Sequence, residues 1–411
     1  MTTEAQPLTP WRRFLAVAGP GLVVMLADTD AGSIITAAQS GAEWGYRLLL
    51  LQLVLVPVLY IVQELTVRLG IVTGKGHAEL IDAHFGHAWA WLSVATLILA
   101  CLGALLTELS GLAGVGLLMG VPAWLMMVVV VTALLVLAFR GSYLTVERIA
   151  IAVGACELVF VAVACIARPE PLAVVSGALD IPWREPKYLY LVAANIGAVI
   201  MPWMVFYQQS AVVEKGLTVR DLKAARLDTA IGAFITQLIM AAVLIAVAAA
   251  LPGVVGGKPL ETVQQIAEAV TPVFGETRGR LLFGLGVTGA ALVATIVVTL
   301  TAARTLAEIF RVKHSLEHEP REAPWFYGFY AVALILGGVL VASGIDLVRL
   351  SVAVQVMNAL LLPIVLLFLY LLARKLPQPH RLEGWPAIIS GFIIAVVTLF
   401  GVYAGLSGIW G

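Results

Sequence analysis

Charge is scarce in this chain. Of 411 residues, 12% are Asp, Glu, Lys or Arg, and the 25 acids cancel the 25 bases, whereas a soluble globular domain carries about 25% charged residues. Sparse, balanced charge excludes a phosphate-binding surface and leaves no expectation of a nucleic-acid partner. Cysteine is rarer still. Cys101, Cys156 and Cys165 have neither metal-ligand nor disulfide-framework spacing, and each falls in an apolar run as a small core residue. Histidine is confined to the segments between apolar runs, at positions 77, 84, 87, 314, 318 and 380, so no histidine relay through a membrane is expected. No polar segment is long enough for a soluble catalytic or signalling domain, so the chain is not expected to be an enzyme. No cleavable leader is evident, because a polar start runs through Arg12 and Arg13 directly into the first apolar run.

What the chain has in abundance is apolar length. Hydrophobic residues make up 61% and the mean hydropathy is +0.99. The charges fall between runs of about 20 or more apolar residues, enough to cross roughly 30 Å of hydrocarbon as helix. Eleven spans are predicted, at 13–39, 46–70, 88–119, 122–139, 145–167, 188–212, 227–251, 280–310, 325–343, 348–373 and 386–409. Continuous runs of this length are helices, since backbone groups in lipid must bond internally. Lysine and arginine favour one set of loops by about two to one, which predicts a cytoplasmic N-terminus and an external C-terminus in a multi-pass protein of the cell membrane.

Two spans carry interruptions. Span one holds Asp28-Thr29-Asp30-Ala31-Gly32-Ser33 near its middle, and a carboxylate at that depth costs roughly 2.5–3.5 kcal/mol. Span six reads Gly197-Ala198-Val199-Ile200-Met201-Pro202, where proline removes an amide donor and clashes with the preceding turn. Matched breaks point to a secondary transporter's binding site. They lie five spans apart, an odd number, so a repeat of five spans would re-enter the membrane inverted. The predicted organisation is a tail at 1–12, one repeat at 13–167, a second at 188–373 and an extra span at 386–409.

Paired carboxylates beside unwound carbonyls make a hard oxygen site suited to Mg²⁺, Ca²⁺ or Mn²⁺, while the Met201 thioether favours softer ions. Ser33 stands one turn beyond Asp30 and offers a hydroxyl. Glu108 in span three and Glu157 in span five are further intramembrane acids. Glu108 belongs either to a permeation or proton path or to a hydrogen bond with a neighbouring helix, and Glu157 has the same two readings with the helix contact favoured. Gln355 and Asn358 share a face of span ten and serve either as cavity amides or as helix joiners. Arg304 and Glu308, four apart, are expected to pair structurally.

These motifs resemble the Nramp family of divalent metal transporters over most of spans one to ten. The resemblance rests on Gly19-Pro20, Asp30-Ala31-Gly32-Ser33, Gln39 to Tyr46, Leu69 to Lys75, Gly197 to Pro202 and Arg226-Leu227-Asp228-Thr229. It implies an all-α, LeuT-like fold of 5+5 inverted repeats with broken helices one and six. It also implies a metal set of Asp30, Met201 and the carbonyls of Ala27 and Ala198, with Ser33 in place of the family's asparagine. Asp28 has no counterpart and would act through water or at second remove. Trp203 stands where the family has histidine, Leu105 replaces an acid one turn before Glu108, and span nine lacks an arginine. With most proton-linked positions changed, the chain is similar to the distant magnesium-transporting branch, which implies uptake of Mg²⁺ or Mn²⁺ by alternating access without tight proton coupling. A proton-coupled Mn²⁺/Fe²⁺ transporter is the alternative. A sodium-coupled amino-acid symporter is disfavoured, because the two aspartates would repel a substrate carboxylate. A non-transporting receptor on the same fold is disfavoured because it would need a signalling domain. The metal is substrate, no cofactor is implied, and the oligomeric state is not readable.

Overall fold

A computed structural model describes residues 14, 16–250, 265–267, 276–313, 315–344 and 347–410. The predicted tail at 1–12, the end of span seven and His314 lie outside them. Among the described residues, ten helices are long and apolar enough to cross a membrane, and a bent pair, Pro20–Asp28 and Ala31–Trp44, makes an eleventh crossing. Each predicted span has its helix, offset by a few residues at the ends. Proline opens several helices, at Pro20, Pro186, Pro202 and Pro324, where its missing amide would have no partner anyway. Span two (Leu49–Thr73) stops at Gly74, whose φ of 64° is left-handed.

Span six (Pro186–Glu214) is the axis. In its most apolar stretch 94% of residues are buried within protein, against 22% in span four (Ala123–Arg140). Its first half packs on span ten (Leu347–Ala373) and span eleven (Gly384–Trp410), and its second half on span two. Span seven (Leu222–Ala250) lies against both halves of span one, and span eight (Glu276–Ile309) against span three (His87–Leu118). Spans four, nine (Pro324–Ala342) and eleven form the rim. Trp124, Val339, Phe392 and Leu399 are among the large apolar side chains exposed there, as a lipid-facing surface requires.

Three expectations are corrected. Span five is not one helix: a 3-10 turn, Ala155–Leu158, separates Tyr143–Gly154 from Val159–Ile166, and Glu157 sits in it. Of the cysteines only Cys101 is buried; Cys156 is half-buried and Cys165 exposed. Histidine is not confined to solvated loops. His87 begins span three. His77 begins a short helix, His77–Phe85, and is fully buried under span six. Its Nδ1 bonds Gln209 Oε1 at 2.9 Å and its ring meets Phe206 edge-on at 4.8 Å.

Two predictions follow from this packing. A Cβ on Gly197 would lie 1.8 Å from the Gln355 carbonyl oxygen and 2.8 Å from the Ala359 amide nitrogen. Both are backbone, so Gly197→Ala must push spans six and ten apart, at a cost of about 1–3 kcal/mol, and should lower the melting temperature of the purified protein. Burial pushes His77 from 6.5 down to about 4. Between those values the unfolded chain binds the proton and the folded one does not, so stability falls as pH drops through that window and is unaffected above it. His77→Gln should flatten this part of the pH–melting profile, and an unchanged slope would show that other groups set it.

Candidate metal centre

Both breaks free backbone carbonyls, for different reasons. In span one the first half ends at Asp28, Thr29 leaves helical geometry (φ −75°, ψ 44°), and Asp30 caps the second half. Asp30 Oδ1 accepts the Ser33 amide at 2.6 Å, an N-cap in the middle of a membrane. The Ala31 amide would close a helical turn onto Ala27, but it donates instead to Glu108 Oε2 at 2.9 Å, so the Ala27 carbonyl has no helical partner. In span six the chain runs extended through Ile200 and Met201. The residue that would bond the Ala198 carbonyl is Pro202, which has no N–H. That carbonyl accepts the Ser33 hydroxyl at 3.0 Å, which ties the two breaks together.

Around this junction the structure gathers the side chains singled out in the sequence. Gln355 Nε2 lies 3.4 Å from Asp30 Oδ1, and Asn358 Nδ2 donates to Gln355 Oε1 at 2.9 Å, so the amide pair of span ten is aimed at Asp30. Gly32 permits the approach, since a Cβ there would sit 2.6 Å from Gln355 Nε2. Thr107 holds the other oxygen of Glu108 at 3.2 Å. Met201 is fully buried, and its sulfur accepts the Trp203 indole N–H at 3.2 Å. The tryptophan in the family's histidine position therefore occupies the thioether. Asp28, Asp30, Ser33, Glu108, Gln355 and Asn358 are each at most 1% exposed. Among the described residues, both Asp28 oxygens and Asp30 Oδ2 have no hydrogen-bond partner. Buried carboxylate oxygens in that state require a proton or a cation.

Among the described residues no three His, Cys, Asp or Glu side chains form a ready-made metal cluster. A cation here would depend on a mixed set: carboxylate, hydroxyl, thioether and the two freed carbonyls, near the carbonyl ends of two half-helices whose dipoles favour positive charge.

Glu157 accepts the Thr29 hydroxyl of the span-one break, a contact between helices. A second acid has a role that the residues alone did not suggest. Asp228 in span seven accepts the amides of Gly21 at 2.7 Å and Gly19 at 3.3 Å, and so caps the first half of span one. Lys215 adds to this anchor, donating to the Ala18 carbonyl at 2.7 Å and to Glu147 at 2.8 Å. Arg304 also reaches across to Glu214 at the end of span six, and Glu308 accepts from Ser210 at 3.3 Å, while Arg304 and Glu308 remain within electrostatic reach of each other. Arg68 and Arg226 converge on Glu64 at the same end. A cavity of about 480 Å³, lined among others by Lys75, Glu79, Asp82, Glu308 and Arg311, opens beside it.

Comparison with known proteins accords with this geometry. A divalent metal cation transporter MntH of Bradyrhizobium diazoefficiens is 31% identical over 305 residues, 71% of this chain and 67% of its own length. One from Aeromonas hydrophila is 27% identical over 410 residues, 96% of each chain. The crystal structure of the Eremococcus coleocola manganese transporter superposes with a TM-score of 0.77 at 21% identity, covering 100% of this chain and 91% of its own. Mhp1, a nucleobase-cation-symport-1 family transporter, superposes with 0.64 at 16% identity, covering 95% and 90%. These likenesses show the expected fold of two five-span repeats opened by broken helices. The family model for Nramp, natural resistance-associated macrophage protein-like, matches residues 21–407, and the chain belongs to the Nramp family.

Proposed function

We propose that this protein carries divalent metal ions across the cell membrane by alternating access, with Asp30 as the principal ligand. The observation that supports this most directly is the unpartnered, fully buried Asp30 Oδ2 at the junction of two broken spans. Ser33 Oγ, the Ala27 and Ala198 carbonyls and Met201 Sδ would complete the set, with Gln355 and Asn358 orienting Asp30. Asp28 strengthens the negative field without a direct bond, and Glu108 lines the path. MntH relatives and the manganese transporter of the same fold support the substrate class by their names.

Mn²⁺ and Mg²⁺ are the ions the donors favour: hard oxygens suit both, and a thioether adds affinity only for the softer. Trp203 on the sulfur reduces that softness, which supports the inclusion of Mg²⁺. Uptake needs no proton, because two charges moving down the membrane potential gain about 4.6 kcal/mol per 100 mV. Trp203 in place of histidine and Leu105 in place of an acid support weak coupling. The arginine-rich end then faces the cytoplasm with the N-terminus, and rocking of the half-helices would break the Asp228 and Lys215 anchors to open it.

In proteoliposomes Asp30→Ala should reduce Mn²⁺ uptake by more than about 10-fold; intact uptake would overturn the site. Trp203→Phe should free the sulfur and raise Mn²⁺ affinity relative to Mg²⁺ in competition assays, and equal shifts for both ions would remove Met201 from the set. A pH dye trapped in the same vesicles should report little proton influx during metal entry.

A further inference from the structure

The break in span one has a second polar face. Ser33 and Asp30 turn toward spans six and ten, but Thr29 turns the other way and donates to Glu157 of span five. Glu157 and Asp28, the residue before Thr29, are 0% and 1% exposed. Both Asp28 oxygens and Glu157 Oε1 have no hydrogen-bond partner among the described residues, and the Asp28 carboxylate lies within electrostatic reach of Asp30 and of Glu157. The 3-10 turn at Ala155–Leu158 presents Glu157 there.

Charge balance sharpens the point. Asp28, Asp30, Glu108 and Glu157 are all buried around one break. The nearby bases are engaged with other acids: Lys215 with Glu147, Arg226 with Glu64, Arg304 with Glu214. One divalent substrate compensates two carboxylates. The other two lie in a low-dielectric interior, where each must meet a proton or a cation.

We propose that Asp28, Glu157 and the Thr29 hydroxyl form a second cation site, separate from the substrate site and made of oxygen alone. Its chemistry selects a hard cation, either sodium or a second hard divalent such as Mg²⁺. Thr29 and Asp28 belong to the break itself, so a cation there would fix the geometry of Asp30 two residues away and couple its own binding to that of the substrate. The inference rests on the substrate reading only for the charge of the first ion.

The test is cation counting on the full chain in lipid nanodiscs, with Mn²⁺ or Mg²⁺ as probe and either sodium or choline as the only monovalent ion. The wild type should bind two Mg²⁺ per chain in choline, or one divalent ion whose affinity rises several-fold when sodium replaces choline. Glu157→Gln, which retains an acceptor for Thr29, should abolish the second ion or the sodium effect while one divalent ion still binds. Asp30→Ala should do the converse. One divalent ion in either buffer, no sodium effect and no change on Glu157→Gln would overturn the second site. A protein that binds no divalent ion yet shows Glu157-dependent sodium stabilisation would keep the second site and overturn the transport reading instead.

Discussion

A carboxylate buried at the centre of a membrane protein must be surrounded by donors or met by a cation, and the packing around Asp30 follows from that constraint. The Ser33 amide and the Gln355 amide supply donors to one oxygen, and the other has no hydrogen-bond partner among the described residues. Meeting these demands breaks span one, because Asp30 can cap a helix only where a helix begins. The break in turn sends the Ala31 amide to Glu108 and releases the Ala27 carbonyl. A matching release in span six follows from Pro202. The two breaks are joined by the Ser33–Ala198 hydrogen bond, so the site is also the point where the two repeats hold each other.

The same economy of polar groups shapes the end that gathers the arginines and lysines. N–H groups at a helix start need partners, and Asp228 of span seven accepts from Gly21 and from Gly19 just before it at the start of span one's first half. Lys215 reaches the carbonyl just before it. This half-helix is therefore attached by polar contacts at both ends, to Asp228 at its start and through the break at its finish. The second half of span six is tied to the short helix before span three by the His77–Gln209 and His77–Phe206 contacts.

Much of this was legible in the residues. Spans were set by apolar length, the breaks by Pro202 and by acids in an apolar run, Asp30, Ser33 and Met201 by their place beside those breaks, and Gln355 by the amide face it shares with Asn358. Each signal is local: it follows from what one stretch of chain can do in lipid. Glu157, the 3-10 turn that carries it and the partner of Arg304 were not legible in this way. An isolated acid or base gives no clue to which neighbouring helix answers it, and Glu214 lies 90 positions from Arg304 in a different span.

By itself, then, the amino-acid sequence determined the solvent, the number of spans and the points where helix must fail, since backbone hydrogen bonding in lipid allows few alternatives. Tertiary structure alone decided which buried groups meet. It turned Ser33 toward Ala198 and Thr29 toward Glu157, placed the Trp203 indole on Met201 sulfur, and left Asp28 without a hydrogen-bond partner among the described residues. Those choices depend on the crossing of helices remote in the chain.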